Sequence, residues 1–419
     1  MEGFIRYFKN TGWLLSQRLF GMVIGFFVTA IVVRYLGPVN NGILNYAISF
    51  VGLFGFLASL GLDQVIYRDL IKYPERENEF LGTSIILRLA AGFLAMLLAI
   101  SFGRIFNSDQ TIFYTMAIVS LAFVFQAFSI IIYSFQAKVE SHLPSIATMI
   151  VVVILAILKL LVVYYHKGVF YFGAIYTLEP FLYAVFFIFF YQKYYSSPLR
   201  WNFNKNLARE IVIEAFPLML SVVFTTIYSR IDQVLLNYMI DVKAVGIYDP
   251  AVRLSELWYF IPAILTGSLF PSIINAYQTD EKLYAKRLIR LTLLLMALSA
   301  SAGIFVTILA HFLMNLVFGP AFVTGYRVLQ LYVWSGLGVG IGFVINQFLI
   351  TEKMVRYVLY SSIIGMLLNV ILNLLLIPSH GINGSALATL ISYILGPLSV
   401  MLFPRVRKRV AVLFRIAQL

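Results

Sequence analysis

Residues 144–165 read PSIATMIVVVILAILKLLVVYY, a run with one charge, Lys159, and a tyrosine pair at its end. A helix needs about 20 mostly apolar residues to cross hydrocarbon, because lipid offers the backbone no hydrogen-bond partner and the helix must satisfy its own. Working outward in both directions, comparable runs recur. They give twelve candidate spans at about 12–35, 42–62, 82–103, 112–135, 144–165, 169–190, 212–237, 247–273, 288–313, 325–350, 356–377 and 383–403. The seventh and eighth contain charge. The first is too long for a cleavable signal peptide, carries Arg18 and lacks a small-residue cleavage pattern. Composition agrees with this reading. The 419 residues are 61% hydrophobic and 12% charged, with a mean hydropathy of +0.91, whereas a soluble domain carries roughly 25% charged residues. Soluble enzymes and nucleic-acid-binding proteins are excluded. With no Cys, disulfide frameworks, thiolate metal sites and cysteine nucleophiles are excluded too, and four scattered His form no zinc motif. No cofactor is expected.

The net charge of +13 is mostly topological. With the N-terminus inside, 21 basic residues fall on the cytoplasmic side, from Arg6 and Lys9 to Arg409 and Arg415, against four (Arg34, Arg104, Lys167, Lys243) opposite. By the positive-inside rule both termini are cytoplasmic. Six basic residues remain within or just inside the spans: Arg18, Arg88, Lys159, Arg230, Arg253 and Arg327.

The two halves echo each other at an offset of about 204–213 residues. Tyr35-x₆-Gly42-Ile43 resembles Tyr238-x₇-Gly246-Ile247, Ser59-Leu60 matches Ser268-Leu269, and Phe135 to Lys138 is echoed by Phe348 to Lys353. The expected fold is an all-α polytopic membrane protein, twelve transmembrane helices in two six-helix pseudo-symmetric halves around a central cavity. The halves cover 1–190 and 212–403, with a cytoplasmic linker at 191–211 and a basic cytoplasmic tail at 404–419.

A charge at the bilayer centre costs on the order of 3 kcal/mol on insertion scales, so it usually faces a cavity or a partner. Arg18, Arg34, Arg88 and Arg327 lie within two turns of a helix end, where snorkelling and cavity lining are both open. Arg253 and Glu256 either neutralise each other along one helix face or serve a site. Lys159 and Glu179, at similar depth on consecutive spans, form either a structural or a functional pair. Arg230 and Asp232 are about 200° apart around span seven and do not pair with each other. Ser221, Thr225, Tyr228 and Asp232 share one face, Thr226, Arg230 and Asn237 nearly the opposite one, and Arg230 is placed toward the cavity. Glu179, followed by Pro180, is the best-placed acid, since proline frees a backbone carbonyl beside it. Span eleven aligns Ser362, Met366, Asn369 and Asn373, which either line a path or bond neighbouring helices. Gly336, Gly338, Gly340 and Gly342 in span ten read as close helix packing. The candidates for a cationic binding cavity are therefore Arg230, Arg18, Arg88, Lys159, Arg253, Asn369 and Asn373, and those for ion coupling are Glu179, Asp232 and Glu256.

Four motifs point to a family. They are Arg34-Tyr-Leu-Gly-Pro-Val-Asn-Asn-Gly42, Ala58-Ser-Leu-Gly-Leu-Asp63, Ala215-Phe-Pro217 with Arg230-Ile-Asp232, and Phe318-Gly-Pro-Ala-Phe-Val-Thr-Gly-Tyr-Arg-Val-Leu329. In order and spacing the chain resembles Wzx-type O-antigen and polysaccharide flippases of the multidrug/oligosaccharidyl-lipid/polysaccharide exporter superfamily, which implies a MATE-like arrangement. The resemblance implies transfer of an undecaprenyl-diphosphate-linked oligosaccharide from the cytoplasmic to the periplasmic leaflet of a bacterial inner membrane, by alternating access coupled to H+ or Na+. It also implies lipopolysaccharide or other polysaccharide biosynthesis, with a polymerase and other assembly proteins as partners. Arginine suits phosphate oxygens, having planar donors and a permanent charge. The spans hold six basic residues against four acidic ones, Glu179, Asp232, Glu256 and, near the edge, Glu214. That modest excess disfavours the alternative, a drug or cation exporter of the same superfamily. An integral-membrane enzyme is disfavoured because no nucleophile–base pair or metal cluster stands in the sequence.

Overall fold

The computed structural model describes the backbone of residues 2–418 and the side chains of residues 9–416, so the side chain of Arg6 lies outside the described residues. Among the described residues every regular element is helical. Ten of the described helices are long and apolar enough to cross a membrane, and a bent pair, Pro320–Tyr332 with Ser335–Thr351, makes eleven. Their flanks expose large apolar side chains, among them Phe27 at 62%, Ile105 at 73% and Ile308 at 75%. Exposure of this kind along whole helices is what lipid contact requires.

Eleven rather than twelve reflects one long element, Glu2–Gly52, which carries the first predicted span and the start of the second. The element α1 (Glu2–Gly52) is two helices joined at Gly37, whose φ of 67° and ψ of 175° are not helical, with Pro38 following; the first predicted span lies before the break and the second begins after it. Proline cannot donate to the helical ladder, and the glycine adopts a left-handed φ that side chains disfavour. Beyond Gly52 the predicted second span breaks into short α2 (Gly55–Ser59) and α3 (Leu62–Lys72). Leu60 and Gly61 between them both have positive φ, 52° and 65°. A Cβ on Gly61 would stand 2.6 Å from the backbone nitrogen of Met219, so glycine is required there twice over.

The chain divides into two compact units, Met1–Thr226 and Ile227–Leu419. The first holds α1 to α3, then α4 (Glu77–Phe106), α5 (Gln110–Ser120), α6 (Ala122–Gln126), α7 (Ile132–Ala137), α8 (His142–Tyr164) and α9 (Val169–Tyr194). The unit boundary falls inside α10 (Lys205–Met239). The core of the first unit gathers Leu62, Ile66, Phe80, Phe135, Tyr191 and Ile211. Gly92 of α4 lets the carbonyl of Phe123 approach so closely that a Cβ would collide with it. The segment between α9 and α10 is held by side chains. Tyr195 donates to Glu140, Ser197 caps a short turn over Pro198–Arg200, and Asn204 caps α10 while bonding Glu79 and the Thr83 hydroxyl. Burial and the neighbouring Glu140 push the Tyr195 phenol above its ordinary pKa. Arg68 forks onto Glu214 and also meets Asp69, and hydrogen bonding to these acids raises its pKa further.

The second unit continues with α11 (Val242–Glu256), α12 (Phe260–Thr279), α13 (Glu281–Phe318), α14 (Tyr326–Tyr332), α15 (Ser335–Thr351), α16 (Arg356–His380), α17 (Ile382–Leu398) and α18 (Pro404–Gln418). Its core gathers Ile273, Tyr284, Leu295, Phe348, Val400 and Leu413. Aspartates start two helices in this unit. Asp241 accepts from the Ala244 amide at 2.7 Å and Asp280 from those of Lys282 and Leu283 at 2.9 and 3.1 Å, satisfying donors a helix start leaves open. The span-ten glycines do pack closely: Gly336 lies under the Trp258 indole and Gly338 against the backbone of Tyr393. Arg409 of α18 ties Glu281 to Glu352.

Candidate functional site

Each unit holds polar groups that an apolar helix bundle must account for. In the first, Arg88 is 2% exposed on α4. Its guanidinium donates to Asp63 at 2.5 Å and to Ser129 at 3.1 Å. Two partners suit a buried cation, since a charge without them would not be tolerated inside the membrane. Ser129 also lines a cavity of about 310 Å³ that includes Gln126, Tyr176, Glu179, Pro180 and Tyr183. Glu179 thus opens onto a cavity within its own unit, with Lys159 of α8 within electrostatic reach of its carboxylate. Arg18 on α1 is exposed and has no hydrogen bond or ion pair among the described residues.

In the second unit a buried acidic network crosses α10, α11 and α14. Asp232 is 5% exposed and accepts from the Tyr248 hydroxyl at 2.9 Å and the Gln233 amide at 2.8 Å. Tyr248 also stands beside Ser385 and Thr389 of α17. Gln233 donates to Asp249 at 3.3 Å, Arg253 meets the same carboxylate at 2.6 Å, and Glu256 accepts from Tyr332 at 3.1 Å. Asn369 donates to Ser392 at 3.1 Å and Thr389 at 3.4 Å, and Asn373 donates back to Asn369. Arg230 is exposed on α10 and, like Arg18, has no hydrogen bond or ion pair among the described residues. It acts only at a distance on Asp232 and Glu256.

The sequence-derived candidates therefore separate. Arg18 and Arg230 are exposed. Arg88 is buried and paired, and Arg253 is tied to Asp249. Glu179 faces a cavity, Asp232 is buried in a network, and Asn369 and Asn373 are wholly buried between α16 and α17. The two faces of span seven are distinct, with Asp232 packed inward and Arg230 outward. Two residues escaped sequence reasoning. Asp249 is the acid that holds Arg253; it carries the i,i+4 spacing of a helical ion pair and sits inside predicted span eight, so the signal was present. It adds a fifth acid to the four counted within the spans, and the basic excess shrinks accordingly. Asp63 is Arg88's partner from 25 positions away, and no local pattern announces that pairing.

Comparison with known proteins adds a second line of argument. Residues 7–278 match the family described as "Polysaccharide biosynthesis protein", and residues 217–375 match the family described as MatE. The chain is 21% identical over 398 residues to the capsular polysaccharide biosynthesis protein CapF of Staphylococcus aureus, covering 94% of this chain and 98% of that one. It is 27% identical over 194 residues to the probable flippase AglR of Haloferax volcanii, covering 42% of this chain. That match spans only 38% of the AglR chain. Among solved structures, an inward-facing multidrug resistance MATE family transporter of the MOP superfamily superposes with a TM-score of 0.75 at 12% identity, covering 95% of this chain and 96% of the other. The lipid II flippase MurJ in an inward closed conformation does so with a TM-score of 0.73 at 17% identity, covering 96% and 89%. The fold is that of this superfamily.

Proposed function

Because the chain belongs to the polysaccharide biosynthesis protein family, we propose that it is a multi-pass membrane flippase carrying a lipid-linked oligosaccharide between leaflets. The cargo in this reading is an undecaprenyl-diphosphate-linked O-antigen or related repeat unit. It moves from the cytoplasmic to the periplasmic leaflet of a bacterial inner membrane, and both protein termini are cytoplasmic. The observation that carries the reading is the pair Arg18 and Arg230: each is exposed on a long apolar helix and neither has a hydrogen bond or ion pair among the described residues. An arginine in that setting calls for water or an anion, and a diphosphate offers the oxygens a guanidinium fork binds best. Arg88 and Arg253 are engaged by carboxylates and act as positioning residues in this scheme.

Ion coupling fits two places. Glu179 opens onto its cavity beside Lys159, and Asp232 is the carboxylate on which Tyr248 and Gln233 converge. Either takes up a cation or proton without a cofactor, and alternating access between two related halves, 1–190 and 212–403, links that uptake to cargo movement.

Deleting the gene tests the reading: surface polysaccharide should disappear while lipid-linked repeat units accumulate on the cytoplasmic side. Unchanged surface polysaccharide would overturn it. The MatE match over residues 217–375 and the acids beside Arg253 favour one second reading, a drug or cation exporter. For that reading the deletion would instead raise drug sensitivity.

A further inference from the structure

The second unit holds a cavity of about 290 Å³ where α15 ends, α16 begins and α17 ends. Among the described residues no charged side chain lines it. Its polar atoms come from Tyr228, Asn346, Ser361 and Ser362, and Gly342 and Gly396 leave room beside them. Ser361 donates to the Gly396 carbonyl at 2.8 Å and Ser362 to the Val358 carbonyl at 3.0 Å. Each hydroxyl has thus placed its proton and keeps lone pairs to accept with. Asn346 is exposed and has no hydrogen-bond partner among the described residues, and the Tyr228 hydroxyl is buried beside Ser392.

This lining narrows the occupant. An acyl chain would leave the Asn346 amide facing hydrocarbon, at a cost of several kcal/mol. A phosphate would call for a cation, and none is present in the lining. What remains is an uncharged molecule with many donors and acceptors and a face to lie on an aromatic ring. The volume sits at the lower end of the roughly 300–1,000 Å³ typical of small-molecule pockets, enough for one ring. Lys353 and Arg356 flank this end of the unit, which the basic-residue asymmetry assigns to the cytoplasmic side, where cargo arrives. We infer that the cavity is a subsite for one neutral sugar ring of the lipid-linked glycan. The inference rests on the flippase reading and deepens it: the glycan is recognised separately from the diphosphate, by uncharged groups of the second unit.

Equilibrium binding of two probes to the purified full chain tests it: undecaprenyl diphosphate, and undecaprenyl diphosphate bearing a single N-acetylglucosamine. The wild type should prefer the sugar-bearing lipid about tenfold, the scale of one or two net hydrogen bonds. Asn346→Leu, which removes the amide, and Ser362→Phe, which fills the cavity, should each erase the preference and leave affinity for the sugar-free lipid unchanged. That retained affinity also reports that the variants fold. Should Asn346→Leu bind neither lipid, the milder Asn346→Ser is held to the same criterion. A preference that survives in the variants, or equal binding of both lipids by the wild type, overturns the subsite and leaves the flippase reading standing. Failure of the wild type to bind either lipid overturns both.

Discussion

Arg230 and Arg88 are the same residue type on apolar helices, yet one is exposed and the other is buried among partners. Arg230 has no counter-charge in contact among the described residues and is exposed. Replacing it with Gln should lower export at least tenfold, while Lys, which keeps the charge but not the fork, should retain a larger share. Export measured in a deletion host decides this, and equal, normal export by both variants would remove Arg230 from cargo binding. Arg88 is held by Asp63 and Ser129, so its partner matters more for stability than for transport. Asp63→Ala strands a buried guanidinium and should cost about 3 kcal/mol. Asp63→Asn keeps an acceptor and should cost clearly less, a difference visible as thermal unfolding in detergent. The sequence marked both arginines as intramembrane charges but not which was which. The deciding partner of Arg88 comes from another helix, and such pairings leave no periodic trace. Asp249 differs in kind, because its spacing to Arg253 and its place inside a span were readable.

At the scale of helices, long apolar runs make span positions legible, and eleven of the twelve runs coincide with a helix or bent helix pair. The second run begins past the non-helical Gly37, in the later part of Glu2–Gly52, and breaks again at Leu60-Gly61, backbone changes to which hydropathy is blind. The glycine ladder of α15 was legible as packing, but what each glycine admits depends on the helix that faces it. A Cβ at Gly338 would collide with the Tyr393 backbone, whereas one at Gly25 meets nothing within 4 Å. Gly338→Ala should therefore lower the melting temperature measurably. Gly25→Ala should leave it unchanged or raise it, since alanine is the better helix former by ~1 kcal/mol. Equal melting of the two variants would contradict the close approach.

For the whole molecule, the positive-inside rule reads most of the +13 net charge as a mark of orientation, which is open to direct test. The chain has no Cys, so single cysteines report that orientation without background. Leu199→Cys, at a position 95% exposed, should react with a membrane-impermeant maleimide only from the cytoplasmic side. Lys167→Cys should react only from the opposite side; the exchanged pattern would invert the topology, and labelling of both from one side would contradict an odd number of spans between them. The central claim, that this chain moves lipid-linked glycan between leaflets, is tested most directly in vesicles. Glycan lipids extracted from a strain lacking the gene are placed in both leaflets, and a glycan-modifying enzyme that cannot cross the membrane is added outside. With the purified protein present, modification should run to completion as inner-leaflet molecules are brought out. If it stops at the outer-leaflet share, as in protein-free vesicles, the chain is not a flippase for that cargo.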